Sequence, residues 1–583
     1  MHRSLQATAT LFSARAVAAV APPASILSTG VLFSHIISAD SSQTEEWSLC
    51  HFGLPGASAE RAFTRQIAQC LDLSQLAGLC LKQQGRLNPI HISAALTVCA
   101  RRLQQQSHGA PGCRLQQQLS TLVCLLLKLL LAQLHQCTGR ELSTALWCLA
   151  KLQHPTHPCT VQQLVAQYVD VVHSSSGQST ATVLCALASM QPQPGLICLD
   201  SLLHSLVKHY TLTGLRQQSA SQLADRAGAI PPWGGPCQPD PQGLCGTQHQ
   251  GQQRQQHQQQ QPLQTPESQA ARLWALAQSA WALAKLQHPA LARTWLLPLL
   301  SLLLDSCGSD STTRHGPSHV QLQAAAPGTH VLCCSSTAAA ASVGPAGSKA
   351  CAVALWACAT IAGGGCAVPS KQWPTKHQQR RLEAFRRAVT QQAVLLLRVC
   401  EQHLFGLQPQ SACMLLWSVN RLRVAPHQSW CQHFYTAALH ISGQLSSSQC
   451  AALLCGMAYL PVRPPTALCA ACLAGLGRQL HSLPASQLSQ VLRACGRLRV
   501  RPPAAWVQAL LEAFLAPHQQ HDPTTLATLM HALSRVGFKP SPAAAAALQS
   551  HVERHLHNFR CAHGRGGTHC SHVIVLQTWG NGV

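Results

Sequence analysis

Along this chain, apolar residues recur at helical rather than strand spacing. Leu488, Val491, Leu492, Cys495 and Leu498 stand at i, i+3, i+4, i+7 and i+10, and Trp506, Ala509, Leu510, Ala513 and Phe514 at i, i+3, i+4, i+7 and i+8. Each set draws one apolar stripe along an α-helix. Pro502 and Pro503 separate the two stripes and Pro517 follows the second. Proline is tolerated in the first turn of a helix and breaks its interior, so the segment reads as helix, turn, helix, with Ser486 placed to cap the first. Neither helix can hide its stripe alone, so pairs of this kind must stack on neighbouring pairs.

The pattern repeats. "LLWSVNRLRVAP" from Leu415, "LLCGMAYLPVRP" from Leu453, "VLRACGRLRVRP" from Val491 and "LMHALSRVGFKP" from Leu529 align without a gap and start 38 residues apart. Equivalent columns hold Leu422, Leu460, Leu498 and Val536, then Val424, Val462, Val500 and Phe538, then Pro426, Pro464, Pro502 and Pro540. The same 38-residue step separates Trp147 of "ALWCLAKLQHP" from Cys185 of "VLCALASMQPQP", and further units lie at Trp281 and, more weakly, Trp356. The fold expected is all-α: an α-solenoid of helix-turn-helix repeats.

Composition punctuates that array. Residues 213–268, with "QHQGQQRQQHQQQQPLQ", and residues 305–349, rich in Ser, Gly and Ala, read as disordered insertions between helical blocks. Residues 1–39 lack Asp and Glu, carry Arg3 and Arg15, and are rich in Ala, Ser and Thr, which is the composition of an organellar transit peptide. The expected order is therefore a transit segment over 1–40, N-terminal repeats over 60–212, an insertion over 213–268, a repeat over 269–304, a linker over 305–349, C-terminal repeats over 350–558 and an unstructured tail over 559–583. The apolar runs from Leu122 and Trp295 are interrupted by Lys128 and Pro298, so no membrane span is expected.

The repeat unit resembles the octotricopeptide repeat of green-algal organellar proteins, a family named for its 38-residue unit and similar in turn to the FAST-kinase-like leucine-rich proteins of mitochondria. The resemblance rests on "LLWSVNRLRVAP", on the proline-led second helix "RPPAAWVQALLEAFL" and on Ile67 to Leu103, which is similar to the start of such arrays. It implies sequence-selective binding of single-stranded organellar RNA, in transcript processing, stability or translation, with other RNA-processing proteins as further partners. It also implies the chloroplast stroma first and the mitochondrial matrix second. Many relatives end in a RAP domain; none is evident here, where 27 residues follow Leu556.

Charge fits that implication. Lys and Arg number 41 against 18 Asp and Glu, a formal charge of +23, in a chain only 10% charged. Such a surface seeks polyanions. So few carboxylates argue against chemistry that needs clustered acids, and no P-loop, GxSxG, HExxH or nucleophile and base pair occurs, so no enzyme activity and no cofactor are expected. The 29 Cys sit mostly in Ala/Leu helical runs, where a thiol packs as a small hydrophobe; the Cys469 and Cys472 pair lacks a second pair at zinc spacing, and no metal site is expected.

Stacking places equivalent residues side by side, so columns become rows. One column runs Lys151, Lys285, Arg421, Arg497 and Arg535; the next turn adds Arg423, Arg463, Arg499, Arg501 and Lys539. Together they form a candidate basic ridge for RNA phosphates. Cations at a helix C-terminus are also favoured by the helix dipole without any ligand. A third column, Trp147, Trp281, Trp356 and Trp417, lies within apolar stripes and is expected to pack in the core rather than stack on bases. A helical-repeat scaffold for protein partners is the alternative function.

Overall fold

The computed structural model describes residues 57–106, 113–190, 196–228, 266–307, 344–365 and 375–561. Among them there is no β-strand. The helices fall into two compact units, residues 51–437 and the unit containing residues 438–583.

The first unit runs α1 (Ala57–Gln69), α2 (Leu73–Lys82), α3 (Pro89–Gln106), α4 (Cys113–Ala132), α5 (Gly139–Leu152), α6 (Pro158–Val171), α7 (Gly177–Met190), α8 (Leu196–Gly228), α9 (Pro266–Leu286), α10 (Pro289–Cys307), α11 (Gly344–Thr360), α12 (Lys376–Glu401), α13 (Pro409–Leu422) and α14 (Gln428–His440). Odd-numbered helices from α1 to α13 each pack on the next odd one and form one layer. A second layer of even-numbered helices, in which α8 meets α10 and α10 meets α12, backs it. The all-α, solenoid-like expectation holds.

Both low-complexity stretches open in the same kind of place, after a second-layer helix and before the next first-layer helix. Despite them, α7 packs directly on α9, and α9 on α11. The stacking therefore continues past both insertions. The helix α8 extends to Gly228, so residue 213, where the first insertion was expected to start, lies within a helix. The segment over 1–40 expected to be a transit peptide, the glutamine run and residues 562–583 lie outside the described residues.

The second unit holds α15 (Ser447–Met457), α16 (Thr466–Gly477), α17 (Ala485–Leu498), α18 (Ala504–Phe514), α19 (Pro523–Val536) and α20 (Pro542–Cys561). Here α17 packs between α15 and α19, while α16, α18 and α20 back their own first helices.

The columns of the repeat have local causes. Arg423, Arg499 and Gly537 follow α13, α17 and α19 in the left-handed conformation, as Gln153 follows α5. The next residue then donates its N–H five residues back: Val424 to Val419, Val500 to Cys495, Phe538 to Leu533 and His154 to Leu149. This is the Schellman closure, which favours an apolar residue just beyond the left-handed one and so explains the Val/Phe column. The left-handed residue ends the first helix, and the proline column behind it is buried at Pro426, Pro464 and Pro502. The second C-terminal copy departs from the rule. Pro461 occupies the left-handed position, its ring forbids positive φ, and α15 stops early at Met457.

Short 3-10 turns lead into the first helices, as at Leu404–Gly406, Ser442–Gln444 and Leu480–Ser482, and the residues that close them, Leu407, Leu445 and Leu483, are buried. Ser486 does not cap α17. The helix starts one residue earlier, at Ala485, whose N–H donates to Gln519 Oε1 at 2.8 Å, and Gln519 Nε2 donates to the Leu483 carbonyl at 2.9 Å. The cap comes from the following repeat because the orphan N–H groups of a buried helix start must be satisfied wherever a partner lies. Gln133 does the same for the Leu87 carbonyl.

Among the described residues two helices are long and apolar enough to cross a membrane, Pro289–Cys307 and Ala346–Gly363. The first, α10, packs against α8, α9 and α12, and the second, essentially α11, against α9, α12 and α13. The second is mostly buried in this packing, while the first buries 39% of its apolar stretch.

Candidate nucleic-acid interface

In the second unit, Arg463, Arg497, Arg499, Arg501, Arg535 and Lys539 are all exposed and all lie at junctions from first to second helix. Stacking of α15, α17 and α19 brings successive junctions together. The Arg497 guanidinium lies 4.1 Å from the centroid of the Tyr459 ring, and its Nε donates to the Ala458 carbonyl at 3.2 Å. At the following junction a Cβ on Gly496 would sit 3.2 Å from Arg535 Cβ, so the absent side chain permits this close approach. The three junctions thus form one continuous surface.

Among the described residues no ion pair involves any of these six cations. Residues 438–583 hold eleven Lys and Arg and three acids, Glu512, Asp522 and Glu553. Asp522 caps the start of α19, accepting from the Thr525 N–H at 2.7 Å, while Glu512 and Glu553 accept from Gln508 and Gln549 on their own second helices. The acids serve helix starts and second helices, and the cations collect where first helices end. The helix dipole supports Arg497 and Arg535 in the last turns of α17 and α19, but gives no reason for Arg463, Arg501 and Lys539 beyond them.

The first unit treats its share of the row differently. Arg421 is half-buried and Nη2 donates to the Gly363 carbonyl at 2.6 Å, which ties α13 to the end of the preceding first-layer helix. Arg102 reaches the Cys70 carbonyl at 2.9 Å in the same manner. Lys151 lies with Nζ 5.7 Å from the Trp147 ring centroid, and burial pushes its ammonium down to about 8. Lys285 is half-buried, and Arg423 is exposed. Three of the ten candidates, Lys151, Lys285 and Arg421, are thus partly withdrawn into packing.

The Lys151 environment has a measurable consequence. Its folded-state pKa lies below the ordinary lysine value of about 10.5, so between about pH 8 and 10.5 the unfolded chain binds more protons and stability rises with pH. Lys151→Met is expected to raise stability at pH 7, with the gain shrinking from pH 8 towards 10.5. Urea unfolding at both ends of that window checks it; a gain of equal size at both would contradict the burial of the charge.

The tryptophan column packs as expected at Trp281 and Trp356, both buried, while Trp147 and Trp417 are half-buried. The Trp356 and Trp417 rings stack across α11 and α13 with centroids 6.1 Å apart. Cys469 and Cys472 are buried, and burial pushes the thiols of Cys148, Cys185 and Cys495 up to about 12, which makes them poor nucleophiles. Among the described residues no group of three His, Cys, Asp or Glu side chains is arranged to hold a metal ion.

Sequence reasoning missed Tyr459. It occupies the column of Arg421, Arg497 and Arg535, and the aromatic residue in a basic column, two positions before Pro461, was the available signal.

Residues 445–580, which contain this surface, match the family model described as Tbc2 translation factor, C-terminal domain. This segment of the chain is therefore similar to a domain of a translation factor. No curated protein matches the chain.

Proposed function

We propose that this protein is a non-catalytic, organellar RNA-binding factor acting in translation or transcript processing, which holds single-stranded RNA on the basic junctions of its C-terminal repeats. The observation that carries the reading is the continuous surface of six exposed cations that have no acidic partner among the described residues. Its location inside the segment similar to the Tbc2 translation factor C-terminal domain adds the connection to translation. The acid-free start of the chain supports an organelle, the chloroplast first and the mitochondrion second.

Such a surface works by replacing the counterions of a polyanion. The released ions make affinity fall as salt rises, by roughly 0.7 in log K per log unit of salt for each phosphate contact on a single strand. With the full chain and a labelled single-stranded RNA, six contacts predict a slope of about −4. No binding at low salt, or binding indifferent to salt, would remove this function.

A further inference from the structure

Among the three successive C-terminal junctions, one carries an aromatic ring where the others carry arginine. Positions 459, 497 and 535 are equivalent and hold Tyr459, Arg497 and Arg535. Because Pro461 cannot take the left-handed conformation that ends the neighbouring helices, α15 stops at Met457 and Tyr459 stands in the turn beyond it. There the residue is 40% exposed. Its hydroxyl makes no hydrogen bond among the described residues. The Arg497 guanidinium lies 4.1 Å from the centroid of its ring. Arg497 is held there by its bond to the Ala458 carbonyl and is itself exposed.

A phenol ring and a guanidinium are both flat, and both stack on nucleobases. Here they are pre-assembled, so little side-chain freedom is left to lose when a base arrives. Arg463, Arg499 and Arg501 occupy the same and the adjoining junction, where the phosphates flanking such a base would find charge. Resting on the RNA reading above, we propose that Tyr459 and Arg497 form a stacking platform for one unpaired base of a single-stranded RNA. Bases inside a duplex keep their faces against one another and cannot use the platform. The surface therefore selects single strands over duplexes, a preference that charge alone does not supply.

The test uses the full chain, a labelled oligouridine and a blunt RNA duplex, with affinities read by fluorescence anisotropy. Stacking contributes about 1–3 kcal/mol per base, so Tyr459→Ala is expected to weaken oligouridine binding roughly 5- to 150-fold. The salt slope should stay unchanged, because no phosphate contact is removed. Duplex binding should change little, and Tyr459→Phe should keep the native affinity, since the ring suffices. Tyr459→Leu retains apolar bulk without a ring; its loss should equal that of the alanine variant, which separates stacking from packing, and circular dichroism reads the helicity of both. Native affinity in Tyr459→Ala and Tyr459→Leu, or an equal loss on duplex and single strand, overturns the platform while leaving the RNA reading intact. Failure of the native chain to bind oligouridine at low salt overturns both.

Discussion

Reversing three charges at once, with Arg499→Glu, Arg501→Glu and Arg535→Glu, is expected to lower the affinity of the full chain for single-stranded RNA by two orders of magnitude or more. Each lost phosphate contact removes roughly 0.7 log units at about 0.1 M salt, so three remove about two, and the new carboxylates add repulsion. The salt slope should flatten by about 2. All three side chains are exposed and none has an acidic partner among the described residues, so no buried charge is left stranded. The stability cost is confined to the helix-dipole contribution at the ends of α17 and α19, about 0.3–1 kcal/mol each. Glutamine at the same positions should give an intermediate loss, while Lys151→Gln, which alters a lysine half-buried against Trp147, should leave RNA affinity as it was. Retained affinity in the triple glutamate variant, with helicity intact by circular dichroism, would place the site elsewhere.

Phe514→Ala should have the largest effect on stability. Phe514 is 0% exposed, ends α18 and stacks on His521 with ring centroids 4.4 Å apart. Removing a buried phenyl group forfeits its transfer energy and leaves a cavity, together about 3–5 kcal/mol. In a stacked array each pair depends on its neighbours, so the loss spreads to the repeats on either side. The helix α18 packs on α17 and on the turn at Leu480–Ser482, through which the basic junction at Arg497 to Arg501 is positioned. Urea unfolding followed at 222 nm should therefore show a less stable transition, and RNA affinity should fall with the folded fraction. A change in stability below about 1 kcal/mol would mean that this side chain does not hold the repeat together.

Much of the architecture was legible because helical periodicity is local. Leu488, Val491, Leu492, Cys495 and Leu498 mark a stripe by spacing alone, and all five are buried. The 38-residue register found the helix pairs and the proline column without any coordinates. What escaped involves partners far apart in sequence. Ser486 has the chemistry of a cap, but the start of α17 is satisfied by Gln519, 34 residues away. The end of α8 at Gly228 escaped too, because polar Gln, Ser and Asp residues in Leu215 to Gly228 resemble a linker when read one residue at a time.

The candidate site divides along the same line. By itself the sequence determined the basic column, its period and the shortage of acids, since charge and spacing are properties of the chain. Only the tertiary structure decided which cations are available. Arg421 and Lys151 share the column with Arg535, yet one is bonded to the Gly363 carbonyl and the other is packed against Trp147, while Arg535 is exposed. Tertiary structure also put Tyr459 under Arg497, 38 residues away. The physical reason is that accessibility belongs to the neighbouring repeat as much as to the residue: a side chain at a helix end reaches back to the preceding helix when a carbonyl or an aromatic ring lies within its length, and otherwise extends into water.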